Sequence, residues 1–232
     1  MGWIYAISWL TVLPFELTAA SLTISYWTNG SINIGVWIAV FTVALIIVQF
    51  FGVRAYGWSE VFLSMIKVTA LIGFCIFAII DDCGGVSTDP RGYIGVEYWK
   101  HGFAFQNGFQ GFCSVFVTAA FAFGGTELVG LTAAESKNPA KQLPKAIRQT
   151  VLRIVLFYLV SLFLVGLLVR ADNPSLLNAS SSNTKDSIFV LAIVNAGVKG
   201  LPSVFNVVIT LSVLSVANSC TYGSTRKWLT PT

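Results

Sequence analysis

Six stretches of this chain are apolar for long enough to cross a bilayer: residues 2–27, 33–52, 60–80, 110–132, 151–169 and 203–224. A helical span needs ~20 predominantly apolar residues. Only 10% of the 232 residues are charged and 55% are hydrophobic, whereas a soluble domain carries about 25% charged residues. There is too little charge to cover a water-facing surface. The sequence predicts an all-α, polytopic helical membrane protein, with residues 1–232 as one membrane domain. The tract from Gly2 to Trp27 is not a cleavable leader, because it has no basic start and Pro14 and Glu16 interrupt it. A net charge of +4 implies no nucleic-acid partner, since the basic residues cluster where a membrane protein places them; the lipid bilayer is the partner they fit.

Orientation follows from basic residues near the span ends. The loop "ESKNPAKQLPKAIRQTVLR" carries Lys137, Lys141, Lys145, Arg148 and Arg153, Arg54 lies between the second and third segments, and Arg226 and Lys227 follow the sixth. These connections alternate so as to share one side, which is expected to be cytoplasmic. Asp81, Asp82, Asp89, Glu97, Asp172 and Asp186 fall on the other side, as do the sequons at Asn29 and Asn178. The first segment is therefore expected to run from inside to outside. The basic loop reads as proline-broken. Cys75 and Cys220 read as packing residues within spans, and Cys83 and Cys113 flank an outer loop where a disulfide is one reading. "KDSIFVLAIVNAGVKG" is too short and too charged at its ends to span, and reads as an external helix. His101 reads as a solvated surface residue.

The fourth segment contains a local contradiction. In "TAAFAFGGTELVGLTAAE" the apolar run is interrupted by Gly124, Gly125, Thr126 and Glu127. Glycine costs a helix roughly 1 kcal/mol relative to alanine, and a carboxylate at the centre of a span roughly 2.5–3.5 kcal/mol on insertion scales. Irregular backbone at membrane depth is tolerated where it is buried in protein or lines a wet cavity, and such breaks bind substrate in secondary transporters. Close packing of helices through small residues explains the glycines but not Glu127. The sequence favours a binding site at this break.

These residues also carry a resemblance. "FCSVFVTAAFAFGGTELVGLTAAESKNPAKQLPKAIRQ" closely resembles the sixth transmembrane helix and following loop of the fungal amino-acid permeases of the amino acid–polyamine–organocation superfamily. "GWIYAISWLTVLPFELTAASLTISYW" looks like the third helix of that family, "FFGVRAYGWSEVFLSMIKVTALIGF" its fourth-to-fifth connection, and "LPSVFNVVITLSVLSVANSCTYGSTR" its eighth helix. The resemblance implies a partial five-plus-five inverted-repeat transporter fold and proton-coupled import of amino acids at the plasma membrane. It begins at the third helix and leaves the family pattern after Arg226, so a central fragment of about six helices is expected. The glycine-rich first helix, which binds the substrate carboxylate in the family, has no counterpart here.

Carried over residue by residue, the resemblance puts the unwound sixth helix at Phe123, Gly124, Gly125 and Thr126, whose free carbonyls would take the substrate ammonium. Phe121 resembles the aromatic that closes over substrate, and reads equally as a core- or lipid-facing side chain. Glu127 looks like the sixth-helix acid that links occupancy to closure or proton movement. Its other reading is a carboxyl kept protonated by burial. Glu16 follows Pro14, whose missing N–H loosens the helix there; intramembrane acids usually face the bundle interior, so proton coupling and plain pairing with a neighbouring helix are both readings. Lys67 lies seven residues after Glu60 and either snorkels to the cytoplasmic interface or resembles the fifth-helix lysine whose ammonium takes the sodium position in proton-coupled members. Ser215, Asn218 and Ser219 face the substrate or, in the favoured reading, pair between helices. No metal-ligand cluster, cofactor motif or nucleophile–base pair appears, so neither a metal, a cofactor nor an enzyme is expected. Two other functions remain open: a truncated membrane protein that only associates with others, and an antiporter of the same superfamily.

Overall fold

The computed structural model describes residues 2–28, 31–100, 108–124, 126, 138–173 and 187–229. All regular structure among them is helical. The helices are α1 (Gly2–Thr28), α2 (Ile34–Phe50), α3 (Gly52–Asp82), α4 (Gly108–Phe123), α5 (Pro139–Arg153), α6 (Val160–Leu168), α7 (Ile188–Asn195) and α8 (Leu201–Leu229). A 3₁₀ turn covers Glu97–Trp99, and a π-helical segment, Ile154–Leu159, joins α5 to α6. Among the described residues, four helical stretches are long and apolar enough to cross a membrane: Ile7–Thr28, Ala55–Asp82, Ala140–Leu168 and Leu201–Ser224. The segment predicted at 33–52 forms the 17-residue α2, at the lower limit of a span. The 110–132 segment is described through α4 and its end; its remainder, together with His101, Asn29 and Asn178, lies outside the described residues.

The chain forms two compact units, residues 1–73 with 174–232, and residues 74–173. In the first, α1 packs along α8, α2 packs on α1, and α7 packs on α8. Lipid tails are as apolar as leucine, so helices associate through close packing and interhelical hydrogen bonds. Small residues provide the first: Ala20, Ser21 and Ala217 are fully buried or nearly so. Thr23 and Thr210 provide the second, their hydroxyl oxygens 2.7 Å apart across the α1–α8 contact, while Asn206 Nδ2 donates to the Thr23 carbonyl at 2.9 Å. Phe15, Ile46, Phe50 and Met65 are exposed, as lipid-facing side chains would be. α2 starts where it does because the Asn33 side chain accepts from the Gly35 N–H at 2.8 Å, satisfying one of the unpaired first-turn donors. The "KDSIFVLAIVNAGVKG" stretch gives the short helix α7, with Val190, Leu191, Ala192 and Ile193 buried.

In the second unit, the 3₁₀ turn Glu97–Trp99 packs with α6. Trp99 Nε1 donates to the Gly166 carbonyl at 2.9 Å, and a Cβ at Gly166 would sit 3.2 Å from the Trp99 ring, so glycine permits this approach. The chain reverses after α3 through Gly84, whose φ of +74° suits glycine, and the Ile94 N–H closes the loop on the Asp82 carbonyl at 3.1 Å.

One expectation is corrected and one open reading is decided. The basic stretch predicted as a proline-broken loop is helical from Pro139 and continuous with the fifth span. Pro139 occupies the first turn, where its missing N–H costs nothing, and Pro144 sits only one turn further in. The four cysteines are free thiols, so Cys83 and Cys113 are not joined. Cys220 is buried and Cys75 half-buried in their helices, as packing residues would be.

Candidate functional site

α4 runs through Phe121 to Phe123 and stops there; Gly124 and Thr126 are in turn conformation, and both are exposed. The helix therefore ends inside the apolar stretch, at the point where consecutive glycines remove the propensity to continue. Gly125 and Glu127 lie outside the described residues, as do the side chains of Phe121 and Phe123.

Glu16 and Lys67 belong to the other unit. Glu16 is 8% exposed on α1, within the continuous helix that contains Pro14, and lies close enough to Cys220 of α8 to interact with it electrostatically. Lys67 Nζ donates to Ser215 Oγ of α8 at 2.7 Å. Ser215 Oγ donates in turn to Glu60 Oε2 at 2.7 Å, so one hydroxyl joins an ammonium and a carboxylate that lie two turns apart on α3. The other carboxylate oxygen, Glu60 Oε1, accepts from Asn218 Nδ2 at 3.1 Å. Asn218 Oδ1 accepts from Gln49 Nε2 of α2 at 2.9 Å. One turn nearer the start of α3, Tyr56 donates to Ser219 Oγ at 3.3 Å and stacks on Tyr222 with ring centroids 4.4 Å apart. Ser215, Asn218 and Ser219 thus pair between helices.

Sequence reasoning missed Glu60 as a partner, although the signal was present. Residues seven apart share a helix face, and two opposite charges on one face inside a span seek a common partner. It also missed Gln49, the only amide in a helix of otherwise apolar character.

A cavity of about 320 Å³ is lined by Leu13, Leu17, Thr42, Leu45, Ile46, Gln49, Phe50 and Thr221. Its walls are almost wholly apolar, which does not suit an amino acid's ammonium and carboxylate. A second charged cluster lies in the other unit. Arg91 holds Asp89 through Nε (2.9 and 3.0 Å) and Nη2 (2.7 Å), reaches Asp81 Oδ2 at 3.3 Å, and donates to the Leu168 carbonyl at 2.8 Å. Burial pushes the Asp89 carboxyl up, but the bonds from Arg91 outweigh it and hold the group below the usual carboxylate range. Among the described residues no group of three or more His, Cys, Asp or Glu could hold a metal.

A family model described as amino acid permease matches residues 1–230. The chain belongs to the amino acid permease family. It is therefore a multi-pass membrane protein of a transporter family. It is similar to the "Cationic amino acid transporter 1" of Schizosaccharomyces pombe, 54% identical over 226 residues that make up 97% of this chain and 38% of that protein. It is also similar to the "Amino-acid permease GAP3" of Candida albicans, 50% identical over 97% of this chain and 37% of that protein, and to the "Amino acid transporter 1" of Schizosaccharomyces pombe, 50% identical over 97% of this chain and 38% of that protein. This permease chain spans less than two-fifths of the length of these relatives. No solved structure matches it.

Proposed function

We propose that this chain is the central part of a proton-coupled amino-acid importer of the plasma membrane, with residues 1–232 forming one permease membrane domain. Substrate binds at the broken helix formed by Phe121, Phe123, Gly124, Gly125, Thr126 and Glu127, and Glu16, Lys67 and Glu127 take part in proton coupling. The observation that carries the reading is the end of α4 at Phe123, inside a stretch apolar enough to continue. A helix ending there leaves carbonyls without intrahelical partners, and these suit a substrate ammonium. The basic helix α5 lies on the cytoplasmic side and α7 on the outer side, as the distribution of Lys and Arg implies.

Glu127→Gln in the full-length permease tests the site. It keeps shape and much of the hydrogen bonding but cannot ionise, so normal surface abundance with strongly reduced or pH-uncoupled uptake is expected. Uptake at the parental rate with the parental pH profile would reduce Glu127 to a structural hydrogen-bonding group.

A further inference from the structure

We propose that Lys67, Ser215 and Glu60 form a proton relay from the middle of the membrane toward the cytoplasmic end of α3, with Glu60 as the residue that gives the proton up. The proposal rests on the proton-coupled, inward-oriented reading above and adds two residues and a direction to it.

The geometry is directional. Lys67 Nζ donates to Ser215 Oγ, and Ser215 Oγ donates to Glu60 Oε2, each over 2.7 Å. A hydroxyl both accepts and donates, so a proton can enter Ser215 from Lys67 as the serine's own proton leaves for Glu60. The ammonium becomes a neutral amine, the hydroxyl is unchanged, and the carboxylate becomes a neutral acid; no electron pair leaves the three groups. The amine is then free to take the next proton arriving from the outer side. Depth also differs along the path. Counted from Ala55, where the span begins, Glu60 is about 8 Å in and Lys67 about 18 Å in at 1.5 Å per residue. The carboxyl is therefore the member nearer water, and it is half-buried. Asn218, braced by Gln49, holds the second oxygen of Glu60 and leaves Oε2 turned to the serine.

Other titratable groups near this assembly are Tyr56 on α3, Cys220 and Tyr222 on α8, and Glu16 on α1, which interacts with Cys220. Neither α2 nor α7 carries one. Tyr56 is engaged by Ser219 and Tyr222 and stands outside the three-member chain.

The test uses the full-length permease in cells loaded with a pH-sensitive dye. It compares net accumulation of labelled amino acid, substrate-induced proton influx, and exchange of internal for external substrate. Exchange needs no net proton movement, so a broken relay must lower accumulation relative to exchange. For Ser215→Ala and Glu60→Gln the ratio of accumulation to exchange should fall by roughly 100-fold, the low end of what a positioned proton-transfer group contributes. Ser215→Thr, which restores a hydroxyl, should recover most of it. Surface abundance and thermal melting identify a variant that fails to fold, and the threonine variant then decides the matter. An unchanged ratio in Ser215→Ala and Glu60→Gln overturns the relay, as does an equal loss of both activities at parental abundance. A parental permease that moves no protons with substrate would instead overturn the proton-coupled reading itself.

Discussion

Replacing Arg91 by alanine removes the guanidinium that faces both Asp81 and Asp89. Asp81 has none of its surface exposed and Asp89 only 8%, so both carboxylates would be left facing each other out of water. Removing one partner of a buried ion pair costs ~3–5 kcal/mol. The Arg91 side chain is 22% exposed, which screens part of the charge, so the lower end, about 3 kcal/mol, applies. Each kcal/mol shifts Tm by roughly 2–4 °C in a chain of this size, so a fluorescence-detected melt of the purified permease at neutral pH should fall by about 6–12 °C. Arg91→Lys keeps the charge but loses the planar fork and its reach to Leu168, and should fall about half as far. The pH dependence has a definite sign. The carboxyl of Asp89 titrates below its unfolded value, so its contribution is complete above about pH 4 and is lost as pH falls through the lower folded value. Arg91→Ala lacks that contribution, and its melting temperature should converge on the parental one at acid pH. A parental melting temperature in Arg91→Ala, or a gap that widens on acidification, would refute the reasoning.

Two further changes test the packing of the helices and the loop. Thr23→Val and Thr210→Val should each destabilise by about 1 kcal/mol, with a coupling near 0.6 kcal/mol, typical of interhelical hydrogen bonds in membranes; a double-mutant cycle from melts measures it, and strict additivity would mean the 2.7 Å contact carries no energy. Gly84→Ala forces a side chain onto a φ of +74° and within 3.0 Å of the Tyr93 amide, a strain of roughly 1–3 kcal/mol; an unchanged Tm would show that the loop relaxes at no cost.

Helical class and the position of most spans were legible because length and hydropathy dictate them directly. The end of α4 was legible for a related reason: Gly124 and Gly125 weaken a helix wherever they stand. The helix over 139–153 was not, since its prolines read as breakers: Pro139 turns out to occupy the tolerated first position, while Pro144 sits inside the helix and removes one of its hydrogen bonds without ending it. The pairing of Lys67 was half legible. Its spacing from Glu60 fixed a shared face, but the serine that joins them is 148 residues further along the chain, and one sequence contains no register between distant helices. Arg91 was illegible for the opposite reason. It stands two residues from Asp89, a local pattern common on exposed loops, and only burial turns it into a structural ion cluster.

The cluster around Arg91 also imposes an order of assembly. A membrane chain is made from its N-terminus, and Asp81, Asp89 and Arg91 emerge within ten residues of one another. Arg91 can offset one of the two negative charges as soon as that turn leaves the machinery that inserts it. The bond from Arg91 to the Leu168 carbonyl spans 77 residues and must wait until α6 has been synthesised. An already paired turn then stands ready as the template against which the later helix stops. The acidic end of α3 thus has a partner at hand early in synthesis, and the bond to Leu168 joins early sequence to late.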